Sequence, residues 1–242
     1  PRQPALAAHA DLGRLRHPRH RRPGAGLAAD PARVHLVYHG IDLSRFPPAP
    51  RDGERDGADP ADPLRLLTVG RAVAKKGTDT LLAALALLPP DLHWRWTHIG
   101  GGPLRARLRA QAEALGIAGR CHFLGARPQE EVLAAYRDAD IFLLPSRIDP
   151  TGDRDGLPNV IIEAQSQAVP VITTPVSGIP ELIVDGDNGL FVEPDDAAAL
   201  GRAIERLGRD PALRRRLGAN GEARVRRQFD HRATIGTLVD LL

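Results

Sequence analysis

Six short apolar runs recur between residues 64 and 193, each released by a glycine or proline turn into a helical stretch, and this alternation constrains the fold more than any other feature. The runs cover 64–70, 93–99, 122–125, 139–145, 169–174 and 189–193. Helical stretches are expected over 78–88, 104–115 and 128–137, then over 195–208, 211–228 and 231–242, where Ala, Leu and Ile recur at helical spacing. Strands separated by helices pair in parallel through crossovers, and each crossover lays its helix on a sheet face. The expected fold class is therefore α/β, a doubly wound, Rossmann-like parallel sheet. After Asp140 the run 139–145 is apolar without a break, as in a strand buried on both faces. Such sheets bind ligands at the carboxyl ends of their strands, so chemistry is sought in the turns that follow each run.

The richest of these turns opens the stretch 153–181, DRDGLPNVIIEAQSQAVPVITTPVSGIPE. Asp155 ends a short acidic loop, and Glu163 follows eight residues on, placed two turns into a helix that Gly156-Leu157-Pro158 opens with Pro158 in its first turn. At helical rise the two carboxylates stand roughly 12 Å apart along the axis, far enough to hold two ends of one long ligand. The first N–H groups of a helix lack intrahelical partners and the macrodipole adds positive charge there, so a diphosphate suits the helix start. Gly156 lets a phosphate approach the backbone. Glu163 could then accept hydrogen bonds from a ribose diol, leaving Asp155 nearest a sugar. Alone, a carboxylate in a helix reads as a solvated residue or a cap. A calcium loop fails on register: with Thr151 as first ligand the twelfth position is Ile162, and Pro158 interrupts the loop. No metal is expected.

Two further turns carry signals. After the first run come Arg71-Ala72-Val73-Ala74-Lys75-Lys76-Gly77, cations at a helix start that can meet phosphate as a planar fork and as point charges. By themselves they read equally well as solvated surface. Gly100-Gly101-Gly102-Pro103 follows the second run, but the acidic residue that a dinucleotide ribose requires about 20 positions on is absent, since 119–124 read GRCHFL. A dinucleotide cofactor is discounted.

Taken together, these motifs resemble the E-x7-E segment, the GR…KKG motif and the GGxPE loop of retaining glycosyltransferases of the GT-B architecture, in particular the group 1 family of bacterial exopolysaccharide, colanic-acid and lipopolysaccharide sugar transferases. The resemblance covers roughly residues 34–242. It implies the C-terminal half of a two-domain GT-B enzyme, with most of the N-terminal domain missing. Residues 34–62 would end the first domain and form the linker, 63–229 would be the nucleotide-sugar domain, and 230–242 a helix crossing back. Ile235, Leu238 and Leu241 on that helix would then show an apolar face without its partner, favouring self-association.

The resemblance also implies roles. Arg71 and Lys76 would stabilise the leaving diphosphate and Asp155 would orient the sugar, with Lys75 a bystander. Asp155 stands where the family usually has glutamate, one methylene longer. Gly70, Gly156, Leu157, Pro158 and Asn159 would line the donor, Glu163 would bind the ribose, Gly125 and Arg127 would border the nucleobase, and Gly178 and Glu181 would lie beside the diphosphate. The donor implied is a nucleoside-diphosphate sugar, UDP ahead of GDP, and the acceptor a glycan or lipid-linked glycan, with no cofactor. Alternatives kept open are a donor-binding module inactive by itself, a nucleotide-sugar epimerase of the same architecture, and a nucleic-acid binder acting through its basic tail.

Charge weakens the last of these. The net charge is +3 with pI about 9.6, but residues 1–33 hold seven arginines against two aspartates, so the basic excess belongs to that arm. The arm is punctuated by Pro1, Pro4, Pro18 and Pro23 and reads as a linker or disordered remnant. With few aromatics and no recognisable module, no nucleic-acid partner is expected. Cys121 is the only cysteine, so an internal disulfide is impossible and a reducing compartment is expected. No apolar run reaches membrane-spanning length. Cytoplasmic placement follows, with peripheral contact at the inner membrane expected only through the missing domain. The lack of any methionine marks the chain as incomplete or processed.

Overall fold

In the computed structural model residues 40–49 and 54–240 are described, all within the unit Tyr38–Leu242. The arm at 1–33 and the run at 34–39 lie outside the described residues. The elements alternate as β1 (Leu64–Val69), α1 (Thr78–Ala86), β2 (Trp94–Ile99), α2 (Arg105–Ala114), β3 (Cys121–Gly125), α3 (Gln129–Asp138), β4 (Ile141–Leu144), α4 (Asn159–Ser166), β5 (Val171–Thr173), α5 (Ile179–Leu182) and β6 (Gly189–Phe191). Three helices close the chain: α6 (Ala197–Gly208), α7 (Pro211–Gln228) and α8 (His231–Asp240).

The six strands form one sheet in the order β3-β2-β1-β4-β5-β6, and every pair is parallel. The order reverses between β1 and β4, where Leu66 pairs with Ile141 and Leu67 with Phe142. That reversal is the topological switch point, the place where adjacent turns leave in opposite directions and open a crevice. The period of two along each strand divides its side chains between two cores. Leu64, Leu66, Trp94, Trp96, Ile141 and Leu143 join α1, α2 and α6 on one face. Leu67, Val69, Ile99, Phe142 and Leu144 join α3, α4, α5 and α7 on the other. All four residues of β4 are buried, as its unbroken apolar run predicts.

The stretch expected as linker contributes to the amino-terminal edge of this sheet. Arg55 pairs with Asp62 and with buried Asp140, Asp140 also accepts the Arg65 N–H at 2.8 Å, and His93 donates to the Gly57 carbonyl at 2.7 Å. Arg214 on α7 reaches back to the end of α6, donating to the carbonyls of Leu207 and Gly208 at 2.6 and 2.7 Å, where a helix leaves acceptors unsatisfied. On α8, Ile235 and Val239 are exposed at 53% and 64%, whereas the Leu238 side chain and Leu241 lie outside what is described. No helix among the described residues is long and apolar enough to cross a membrane.

Candidate functional site

β1 and β4 flank the switch point, and the turns leaving their carboxyl ends meet. β1 runs into Gly70, then into a short 3-10 turn, Ala74–Lys76, and Gly77, whose φ of +63° starts α1. Gly77 lies against the carbonyl of Pro145 at the end of β4, so closely that a β-carbon would fall 1.9 Å from that oxygen. Pressed there, the turn delivers Lys76 to the acidic loop that follows β4. Lys76 Nζ lies 2.7 Å from Asp155 Oδ2, with both side chains mostly buried at 12% and 15% exposure. The aliphatic part of Lys76 crosses Gly70: its Cε is 3.5 Å from where a β-carbon would stand.

Lys75, expected to be a bystander, is drawn in as well. Its Nζ lies 3.1 Å from Asp153 and 3.5 Å from Asp155. The hydrogen bond to Asp153, with the charges of both aspartates, holds the Lys75 ammonium above its ordinary pKa. The Lys76 ammonium, 2.7 Å away, is the cation that meets the buried Asp155 Oδ2. Arg71 is exposed and makes no ion pair among the described residues.

The helix carrying Glu163 starts later than its sequence suggests. Pro158 is the residue before the helix, extended at φ −69° and ψ 122°, and α4 begins at Asn159. Glu163 is therefore one turn in, not two. The proline ring fixes φ alone, and that value serves either position, so only the tertiary setting of ψ decides between them. Pro158 is buried, Asn159 exposed and Leu157 packed on the second core. The Gly156 carbonyl accepts the Gly178 N–H at 3.1 Å, which ties the acidic loop to the turn before α5.

Glu163 is half-buried, and the Tyr136 hydroxyl of α3 donates to its Oε2 at 2.9 Å; that hydroxyl also lies 3.3 Å from the Val160 carbonyl. Burial pushes the Glu163 carboxyl above its ordinary pKa, against the opposing pull of the Tyr136 hydrogen bond and of Arg45. Burial and the neighbouring Glu163 charge together raise the Tyr136 hydroxyl well above its own.

The remaining candidates have other partners. Gly125 ends β3, and its carbonyl accepts the Gly100 N–H at 2.8 Å. Arg127 is a surface side chain 3.6 Å from Glu131. Glu181 is an exposed residue of α5 whose carbonyl accepts from Arg224 at 3.0 Å. The glycine triplet stitches turns together: Ala72 donates to the Gly101 carbonyl at 2.8 Å and Leu104 to the Ala72 carbonyl at 3.1 Å. Two surface hollows, one lined by Arg65, Arg95 and Asp138 and the other by Asp140, Arg214 and Glu222, lie at the amino-terminal edge of the sheet, away from this constellation.

Residues 53–224 match the family described as glycosyl transferases group 1. The chain belongs to this glycosyltransferase family. Among its relatives is the lipopolysaccharide core biosynthesis glycosyltransferase LpsE of Rhizobium meliloti, 35% identical over 76% of this chain and 51% of LpsE. The chain thus spans about half the length of the curated relatives it matches. Of solved structures, sucrose-phosphate synthase from Thermosynechococcus elongatus superposes with a TM-score of 0.72 at 31% identity, over 86% of this chain and 51% of that one. HepE of Anabaena, solved in complex with UDP, gives a TM-score of 0.73 at 22% identity over 85% of this chain and 56% of its own. That likeness establishes the shared fold.

Two residues of this group 1 chain escape a reading of motifs: Tyr136, which holds Glu163, and Arg147, which follows β4. Tyr136 could have been found as the one aromatic of its helix. Arg147 offers only its place, two residues past the end of an unbroken apolar run.

Proposed function

We propose that this chain is the donor-binding half of a glycosyltransferase that moves a sugar from a nucleoside diphosphate to a glycan or lipid-linked acceptor, with retention at the anomeric carbon, in cell-surface polysaccharide biosynthesis. The observation that carries the reading is the meeting of Lys76 with Asp155 at the switch point, with Glu163 one turn into the adjoining helix. A diphosphate needs cations, and Lys75 and Lys76 supply them beside the exposed guanidinium of Arg71. As the acceptor hydroxyl oxygen bonds to the anomeric carbon, the bond to the diphosphate breaks, and the diphosphate leaves with the electron pair and takes up the hydroxyl proton. Cations fixed at that leaving group stabilise the charge as it develops. The Asp155 carboxylate, with acceptor sites beyond those its lysine partners occupy, suits a sugar hydroxyl. Glu163, oriented by Tyr136, suits the ribose diol. UDP is the favoured carrier, since HepE was solved with it.

Calorimetric titration of the chain with UDP and GDP tests this reading. One of the two should bind, and Lys76→Ala should weaken it by about tenfold or more. A cooperatively folded chain that binds neither would overturn the proposal. Incubating a nucleotide sugar with the two-domain protein and no acceptor separates the epimerase, which alone would release an isomerised donor.

Asp155→Asn gives a second, opposite-signed expectation. In the ligand-free chain Asp155 neutralises the cations that a diphosphate would use. Removing its charge should tighten UDP without sugar by about 3- to 10-fold, by the Coulomb energy of one carboxylate near the diphosphate. Turnover of the two-domain protein should fall in the same variant. Weaker UDP binding would place Asp155 away from the phosphates.

A further inference from the structure

Arg147 makes contacts that no single structural purpose requires. Its backbone N–H donates to the Lys75 carbonyl at 2.9 Å, and its Nε donates to the Ala74 carbonyl at 2.8 Å. One end of the guanidinium pairs with Asp79 in the first turn of α1, and the other with Asp195 in the turn before α6. Thr80 closes the figure: its hydroxyl donates to Asp195 at 3.1 Å and lies 3.5 Å from Arg147 Nη1. The side chain is 17% exposed. Burial would raise the Asp79 carboxyl, but the hydrogen bond and charge of Arg147 hold it below its ordinary value. The side chain thus ties the lysine turn to the start of α1 and the turn before α6; one of its bonds, from Nε to the Ala74 carbonyl, goes to the backbone of the turn that carries Lys76, beside the backbone N–H bond of the same residue to the Lys75 carbonyl.

We propose that Arg147 is a positioning residue for the donor diphosphate: it sets the Ala74–Lys76 turn so that Lys76 meets the phosphates, and it touches no substrate itself. The inference rests on the donor reading of the Lys76–Asp155 site. Two physical effects combine. Only a planar fork can satisfy a carbonyl through Nε while its two ends meet separate carboxylates, so lysine cannot replace it. Arg147 also supplies the positive charge between Asp79 and Asp195, so its loss would leave two carboxylates beside the turn that must receive an anion.

The test is the affinity of the chain for UDP and for uridine, or for GDP and guanosine if GDP is the nucleotide bound, in wild type, Arg147→Ala, Arg147→Lys, Lys76→Ala and the Arg147→Ala/Lys76→Ala double variant. Arg147→Ala should weaken the diphosphate by about 10- to 100-fold and leave the nucleoside within about twofold, because the lysine turn serves only the phosphates. In the Lys76→Ala background the same change should cost less than about threefold, the signature of an effect transmitted through Lys76. Arg147→Lys should recover only part of the loss, and it carries the test if the alanine variant does not fold. An equal loss for diphosphate and nucleoside, an effect as large in the Lys76→Ala background as in wild type, or undiminished diphosphate affinity would each overturn the positioning role alone. Wild type that binds neither UDP nor GDP would overturn the donor reading, and this inference with it.

Discussion

Gly77→Ala should destabilise the chain by about 3–5 kcal/mol, read by denaturant or thermal unfolding. Two costs add. At φ +63° an L-residue sits in the left-handed region, which costs about 1–2 kcal/mol. The added methyl would also fall 1.9 Å from the Pro145 carbonyl oxygen, and a backbone carbonyl at the exit of β4 cannot move aside as a side-chain tip would. Overpacking of this kind costs about 1–3 kcal/mol, with the upper end expected against the sheet. Relief would come by displacing the lysine turn, so the variant that folds should also lose affinity for nucleoside diphosphate. Unchanged stability would mean that the turn is not pressed on β4.

Glu163→Ala should weaken donor binding by about 2–4 kcal/mol, through loss of paired charge-assisted hydrogen bonds to a diol. Its effect on folding should be smaller, about 1 kcal/mol, since the Tyr136 hydroxyl loses its acceptor at 2.9 Å but retains the Val160 carbonyl nearby at 3.3 Å. A titration that matches wild type would remove Glu163 from the donor site. pH supplies an independent readout. The folded carboxyl is raised above its unfolded value by burial, so the native state favours the protonated form. The stability this contributes is fully present below the unfolded pKa and is lost as pH rises through the folded pKa. Donor affinity runs the other way, because ribose hydroxyls donate to the carboxylate: it should rise with pH, with a midpoint above the ordinary glutamate value. Glu163→Gln should abolish that pH step in both measurements.

The sheet was legible because strand and helix carry their periods locally. Apolar runs at 64–70 and 139–145 define β1 and β4 to within a few residues, and the alternation of Leu64 and Leu66 with Leu67 and Val69 divides them between two cores. The start of α4 was less legible. Pro158 satisfies the φ of a first helical residue and of the residue before the helix equally, and the tie of Gly156 to Gly178 belongs to a neighbouring turn. The ion pairs of Lys75 were not legible for a related reason. Its partners, Asp153 and Asp155, lie in a loop that leaves a different strand, and no local pattern records which loops face one another. Tyr136 and Arg147 lie outside the motifs altogether, since each acts on a motif from an adjacent element.

By itself the sequence determined the fold class, carried by short-range period and turn chemistry, and it offered Lys76, Asp155 and Glu163 as candidates through turn chemistry and family resemblance. Only the tertiary structure decided that Lys76 faces Asp155, that Lys75 joins them, that Tyr136 holds Glu163 and that Arg147 holds the lysine turn. These pairings depend on β1 and β4 becoming neighbours at the reversal of strand order. That adjacency is fixed by burying both faces of β4, a global property that no local window of the chain contains.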